Sequence, residues 1–422
     1  MIRRYQKGPR VDPRPVRAPA PTAPRPARHA SRFGAALALA ALVGLAACAP
    51  QAPQGGYGRP AAPLFGGAGG LGAPQPPAGP TNTKVAILLP MSGPQGALGP
   101  AMLNAATLAL FDSGARGVEL VPRDTTGSPG GASEAVRSAL SDGARVVVGP
   151  LTGPETAAAA GQARAAGVPV LAFTNDVDQG GSGVWVTGVT PSQQVRRLVA
   201  AAQSAGIRRI GLAGPDGAFT SRLASALRNA SREAGLSAPA IVTYPSGASR
   251  PQAAGQIAAQ AGSEPIGLLI LAEGGPQARE MASALAGAGL ASPPLRVAGT
   301  VLWAGDASLA NEPALAGAWV PGPDPAARNG FETRYAAAFG ERPPRLAATA
   351  YDATSAAVRS VRGGDPMAPA ALPLGEPLQG ADGAFRLLPN GQVQRALAVY
   401  ALTPGAEPQV VEPALLPGAA GS

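Results

Sequence analysis

The chain has 422 residues, 57 of them Gly and 47 Pro, a formal net charge of +9, one histidine and one cysteine. Nine basic residues and one acid fall before residue 48, so the rest carries 25 basic against 24 acidic groups and has no basic stripe for a nucleic-acid backbone. Beyond His29 and Cys48 there is no imidazole or thiol, which excludes His-dependent triads, His or Cys metal sites and Cys nucleophiles from the rest of the chain.

In chain order, residues 1–32 are basic and Pro-rich, and 33–47 (FGAALALAALVGLAA) form an apolar run shorter than the roughly 20 residues a membrane span needs. A basic region, a short apolar run and small residues at its end read as a signal peptide over 1–47. Leu45-Ala46-Ala47-Cys48 resembles the bacterial lipobox. That resemblance implies cleavage before Cys48, acylation of its thiol and new amino group, and a lipid anchor on the periplasmic face of the envelope. Ala49 rather than Asp after the cysteine implies outer membrane over inner. Several acyl chains would give the stable anchoring that one cannot. Residues 48–82 are too rich in Gly and Pro to bury a core and read as a tether. Gly67-Ala68-Gly69-Gly70-Leu71-Gly72 fits a dinucleotide fingerprint but has no strand before it and no helix after it.

From residue 83 short apolar strands alternate with Ala-rich helices. Strands are expected at 85–89, 118–121, 145–148, 168–173 and 184–187, and again at 209–213, 240–244, 266–271 and 295–298. Helices are expected between them at 99–110, 133–141, 155–165, 192–205, 221–234, 252–260 and 277–286, with two more at 324–339 and 346–359. The alternation means βαβ units and parallel sheets, and the uninterrupted apolar strands mean sheets covered on both faces. Interruptions near 187–190 and 319–325 divide the chain into two doubly wound α/β lobes. Lobe 1 takes about 84–189 and 322–375, and lobe 2 takes 190–321. Strands at 385–388 and 394–400, joined through Pro389-Asn390-Gly391, read as a hairpin within 384–402. The module ends at 404 and residues 405–422 read as a tail.

In open parallel sheets ligands sit outside the carboxyl ends of the strands. Three loops fall there: 91–99 with Ser92, 149–156 with Thr152, Gly153 and Thr156, and 174–176 with Thr174. Free N–H groups and hydroxyls at helix starts suit an anion, and the same Ser92, Thr152 and Thr156 serve equally as plain N-caps.

The stretches VAILLPMSGPQGALGPAMLNAATLAL, VVVGPLTGPETAAAA, AGVPVLAFTND and PDPAARNGFETRYAAAFGERPPRLAATAYDA resemble the type I periplasmic binding proteins of the leucine/isoleucine/valine-binding family, from Lys84 to about residue 400. The resemblance implies two lobes with a ligand cleft between them, and a ligand carboxylate held by Thr152, Gly153, Ala172 and Thr174, with Ser92 nearby. It places an aromatic of the second lobe near Phe219. Amino-acid binders of the family carry an acid near residue 300 for the ammonium group, but 298–303 reads AGTVLW. Glu273, Asp216 and Asp306 are the acids that could replace it, and Trp303 is either cleft lining or core. The sequence implies a non-enzymatic receptor without cofactor or metal, binding a small carboxylate- or amide-bearing solute for an ABC permease. It also resembles lipoproteins that activate a penicillin-binding protein through the same fold, although it lacks their helical-repeat domain.

Overall fold

The computed structural model describes residues 82–418 apart from 262–264, 291–293, 305, 363–364 and 366. The signal peptide, Cys48 and the tether expected from the sequence lie outside the described residues. Strand β1 (Thr83–Leu89) organises the first lobe. Val85, Ile87 and Leu89 enter one apolar cluster, and Ala86 and Leu88 enter another, so the two-residue period of the strand covers both faces of its sheet. β2 (Val118–Asp124), β3 (Val146–Val148), β4 (Val170–Ala172) and β5 (Val184–Val186) pair with it in parallel in the order β2-β1-β3-β4-β5. Helices α1 (Leu98–Ser113), α2 (Pro129–Ser141) and α3 (Gly153–Ala165) make the crossovers. The winding reverses between β1 and β3, so the loops that follow them part around a crevice.

The chain leaves this lobe at 187–190. α4 (Pro191–Ser204), β6 (Ile210–Pro215), α5 (Ala218–Glu233), β7 (Ala240–Tyr244) and α6 (Arg250–Ala261) begin the second. β8 (Leu268–Leu271), α7 (Gly275–Gly287), β9 (Arg296–Ala298), the short α8 (Ala307–Ala310) and β10 (Trp319–Gly322) follow. Five strands run parallel as β7-β6-β8-β9-β10. Leu269 and Leu271 face one cluster, Leu268 and Ile270 the other. The interruption at 319–325 is therefore first a strand and only then, at Pro323, a crossover.

α9 (Pro325–Phe339) and α10 (Arg345–Val361) return to the first lobe, as the sequence predicts. Ala105 and Ala109 of α1 share a core with Ala353 and Ala357 of α10. Alanines four apart form a smooth face, which lets helix axes approach toward the short end of the usual ~8–10 Å.

Two expectations about the last segment are corrected. β12 (Gly383–Leu387) and β13 (Val393–Arg395) do form a hairpin, flanked by β11 (Leu378–Gly380) in a small antiparallel sheet. The strand expected at 394–400 breaks at Ala396, however. Its second half, β14 (Leu397–Ala401), crosses to the second lobe and pairs antiparallel with β10. β15 (Gln409–Leu415) then pairs with β14 at the sheet edge, inside the segment read as a tail. QVQRALAVY holds no glycine, proline or other turn residue, so nothing local marks a change of sheet. What holds the first half in place is tertiary: Arg395 is buried, ion-paired to Asp352 at 2.5 Å, and donates from Nε and Nη2 to the Thr187 carbonyl at 3.0 and 2.8 Å. The first and third crossovers are thus fastened to each other.

Candidate functional site: a cleft between the lobes

Gly149 follows β3 with φ +91, and a Cβ there would run into the Leu88 carbonyl, so glycine is required where the chain turns toward α3. Thr152 caps that helix in a capping box: its Oγ1 accepts from the Glu155 N–H at 3.4 Å and donates to Glu155 Oε2 at 2.7 Å, and its own N–H donates to the same oxygen at 2.9 Å. Pro154 brings no N–H and Thr156 N–H is bonded to the Thr152 carbonyl. The helix start is therefore largely satisfied from within, leaving Gly153 N–H as the donor nearest the cleft. After β4, Thr174 Oγ1 accepts from the Asp176 N–H at 3.1 Å.

Thr152, Gly153 and Thr174 line one cleft of about 490 Å³, with Asn175, Leu151 and Phe173 beside them. Val301 and Leu302, in a single helical turn after β9, line it from the second lobe. The crossovers add Gly188, Val189, Pro323 and Leu397, and α9 and α10 add Arg328, Arg345, Leu346 and Thr349. The volume suits a small molecule.

The other residues singled out by sequence do not line this cleft. The Ser92 hydroxyl donates to Asp124 Oδ2 at 2.6 Å and its N–H to Oδ1 at 3.3 Å, stitching the loop after β1 to the end of β2. Ala172 is fully buried in β4, and its carbonyl accepts both the N–H and the hydroxyl of Thr187 at 2.8 Å. Phe219 packs half-buried against the core of the second lobe. Trp303 is core: it is 1% exposed and its Nε1 donates to the Glu273 carbonyl at 2.6 Å.

The acid question has a different answer from the one expected. Glu273 is buried and ion-paired to Arg250 at 2.9 Å; burial pushes its carboxyl up, with Arg250 pulling the other way. Asp306 caps α8, and Asp216 is exposed. The acid that does line the cleft is Asp382, which sequence reading passed over, and it is ion-paired to Arg328 Nη1 at 2.9 Å. Glu332 holds the same arginine through Nε at 3.0 Å. Arg345 forms no ion pair among the described residues, although Asp382 attracts it from nearby; its Nη1 donates to the Ala304 carbonyl, from a helix of the first lobe to a loop of the second. Arg345 did leave a local trace: it opens a helix, where the positive end of the dipole disfavours a cation. Asp176 and Asp178 reach Arg222 of α5 at 2.9 and 3.2 Å and form a second tie between the lobes.

Two doubly wound lobes, three crossovers and a cleft at the carboxyl ends of both sheets describe one architecture, and the family model of the periplasmic binding proteins matches residues 82–406. The chain belongs to the periplasmic binding protein family. No protein of curated function matches it. Among solved structures, this periplasmic binding protein is similar to a branched-chain amino acid ABC transporter periplasmic ligand-binding protein of Burkholderia xenovorans, with 19% identity, 78% of this chain and 94% of that chain covered, and a TM-score of 0.64. It is similar to an R. palustris solute-binding protein in complex with benzoate, at 21% identity over 81% of this chain and 99% of that one, TM-score 0.55. The branched-chain amino acid substrate-binding protein of Streptococcus pneumoniae, in complex with isoleucine, shares 17% identity over 79% and 100% of the two chains, TM-score 0.53. At these identities the likeness concerns the fold. Among the described residues no group of His, Cys, Asp and Glu could hold a metal ion, and no helix is long and apolar enough to cross a membrane.

Proposed function

We propose that this periplasmic binding protein is a lipid-anchored receptor that holds a small carboxylate- or amide-bearing solute between its lobes and presents it to an ABC-type permease. The observation that carries the reading is the cleft itself: about 490 Å³, bounded by both lobes, with Thr152, Gly153 and Thr174 at the strand ends of the first. The ligands named for similar structures, isoleucine and benzoate, are both small carboxylates. Closure of two lobes around a solute would exclude water from its polar contacts. Anchoring rests on Cys48, with the outer membrane favoured as the site of attachment, and no catalytic step is assigned.

The test is a thermal-shift panel of amino acids, amides, small carboxylates and muropeptides on the full chain. A ligand at 100 times its Kd would stabilise the protein by roughly 2.7 kcal/mol. Thr174→Ala should abolish the response to the best ligand. No shift across the panel, together with co-purification of a penicillin-binding protein, would replace the receptor by a synthase activator of the same fold. Labelling with radioactive palmitate should mark the chain and spare Cys48→Ala.

A further inference from the structure

The lining of the cleft is divided. Its walls are apolar, and two of the leucines in them are left uncovered: Leu302 of the second lobe is 54% exposed and Leu346 of the first is 36% exposed. Leu151, Phe173 and Val189 continue the same lining. Large apolar side chains open to water inside a concave site lose hydration cost when a ligand body covers them.

The polar groups carry an uneven charge. Arg328 is neutralised twice, by Glu332 and by Asp382, which also means that Asp382 is already engaged and is a poor receptor for an ammonium group. Arg345 stands beside them without an ion pair among the described residues: Asp382 attracts it from nearby, Arg328 repels it, and its hydrogen bond goes to the neutral Ala304 carbonyl. It also stands on the first residue of α10, so the helix dipole adds positive potential at the same place. An arginine unpaired here raises the energy of the empty site and lowers it when an anion enters.

We infer that Arg345 receives the acidic group of a small organic acid with an apolar body and no ammonium group, whose body lies against Leu302 and Leu346. The inference rests on the receptor reading and narrows it to one ligand class and one recognising residue. Arg345 already reaches from the first lobe to Ala304 in the second. A bound anion beneath it would join that bridge, so binding and lobe closure are coupled through the same guanidinium.

Isothermal titration of the full chain with three molecules of one skeleton separates the possibilities: isocaproate, its neutral amide, and leucine, which adds an ammonium group. Isocaproate is expected to bind at least tenfold more tightly than the other two. Arg345→Gln should weaken isocaproate roughly 10- to 100-fold, as expected for loss of a charged hydrogen-bond pair, and leave the amide unchanged. Arg345→Lys should recover part of the loss. Leu302→Asp, on the opposite lobe and at an exposed position, should repel the same acid while the melting temperature stays put. If leucine or the amide binds as well as isocaproate, or Arg345→Gln binds isocaproate like the wild type, the inference falls and the receptor stands. If none of the three binds, and no carboxylate shifts the melting temperature, both fall.

Discussion

The Ser92 hydroxyl is committed to Asp124, and this bond, with the N–H groups of Thr126, Met91 and Ser92 behind it, holds the Asp124 carboxyl below its ordinary value against the opposing effect of burial. A depressed carboxyl contributes stability that is present above the unfolded pKa near 4 and is lost as pH falls through the folded value. Ser92→Ala should therefore raise the Asp124 pKa toward the usual carboxylate range, read by NMR titration, and shrink the stability that is lost between the unfolded pKa near 4 and the folded value. Ligand binding should not change. The Asp352–Arg395 pair is the other decisive residue-scale feature. Asp352 is fully buried; burial pushes its carboxyl up to about 6 against the pull of Arg395, and its Oδ1 accepts the Ala381 N–H at 2.6 Å. Asp352→Ala leaves a buried guanidinium without its counter-charge and should cost about 3–5 kcal/mol in urea unfolding.

At the scale of an element, α3 shows how the sequence GPLTGPET works. Thr152 and Glu155 close a capping box around a helix start whose second residue is proline. Thr152→Ala should cost about 0.5–2 kcal/mol of stability, and Thr152→Ser should restore most of it. Such a cost, appearing in unfolding without any ligand present, would mark the hydroxyl as a cap whatever else it touches. The α1–α10 contact makes a complementary prediction. Ala353 is 1% exposed in the core the two helices share, so Ala353→Leu overpacks it and should cost roughly 1–3 kcal/mol, lowering the melting temperature.

For the molecule as a whole the question is what keeps the lobes together. Arg222 spans from α5 to Asp176 and Asp178, with side-chain exposures of 40%, 19% and 71%. Ion pairs this open contribute only about 0–1 kcal/mol. Arg222→Ala is thus expected to leave the melting temperature nearly unchanged. It should shift the open–closed balance by up to about fivefold, seen as a larger radius of gyration by small-angle scattering in the ligand-free protein and little change with ligand bound. The Arg395 clamp on Thr187 sits at the crossovers themselves, where a loss would loosen the hinge as well as the fold.

Much of the architecture was legible in the sequence because it is written locally. The nine strands before residue 300 and the helices between them follow from short apolar runs, proline and threonine at helix starts and glycine after helix ends, and the two lobes follow from where that rhythm breaks. Thr152 and Thr174 could be placed at strand ends for the same reason. The later segments were harder: residues 394–401 read as one strand yet serve two sheets, because the choice of partner depends on Arg395 finding Asp352 and Thr187. The charge of the cleft was beyond local reading altogether. Arg328, Arg345, Asp382 and Leu302 come from two separate helices, a hairpin turn and a single helical turn. Whether an arginine is neutralised or left free for a ligand depends on which carboxylates the folded chain brings within reach, and that is a property of the tertiary structure alone.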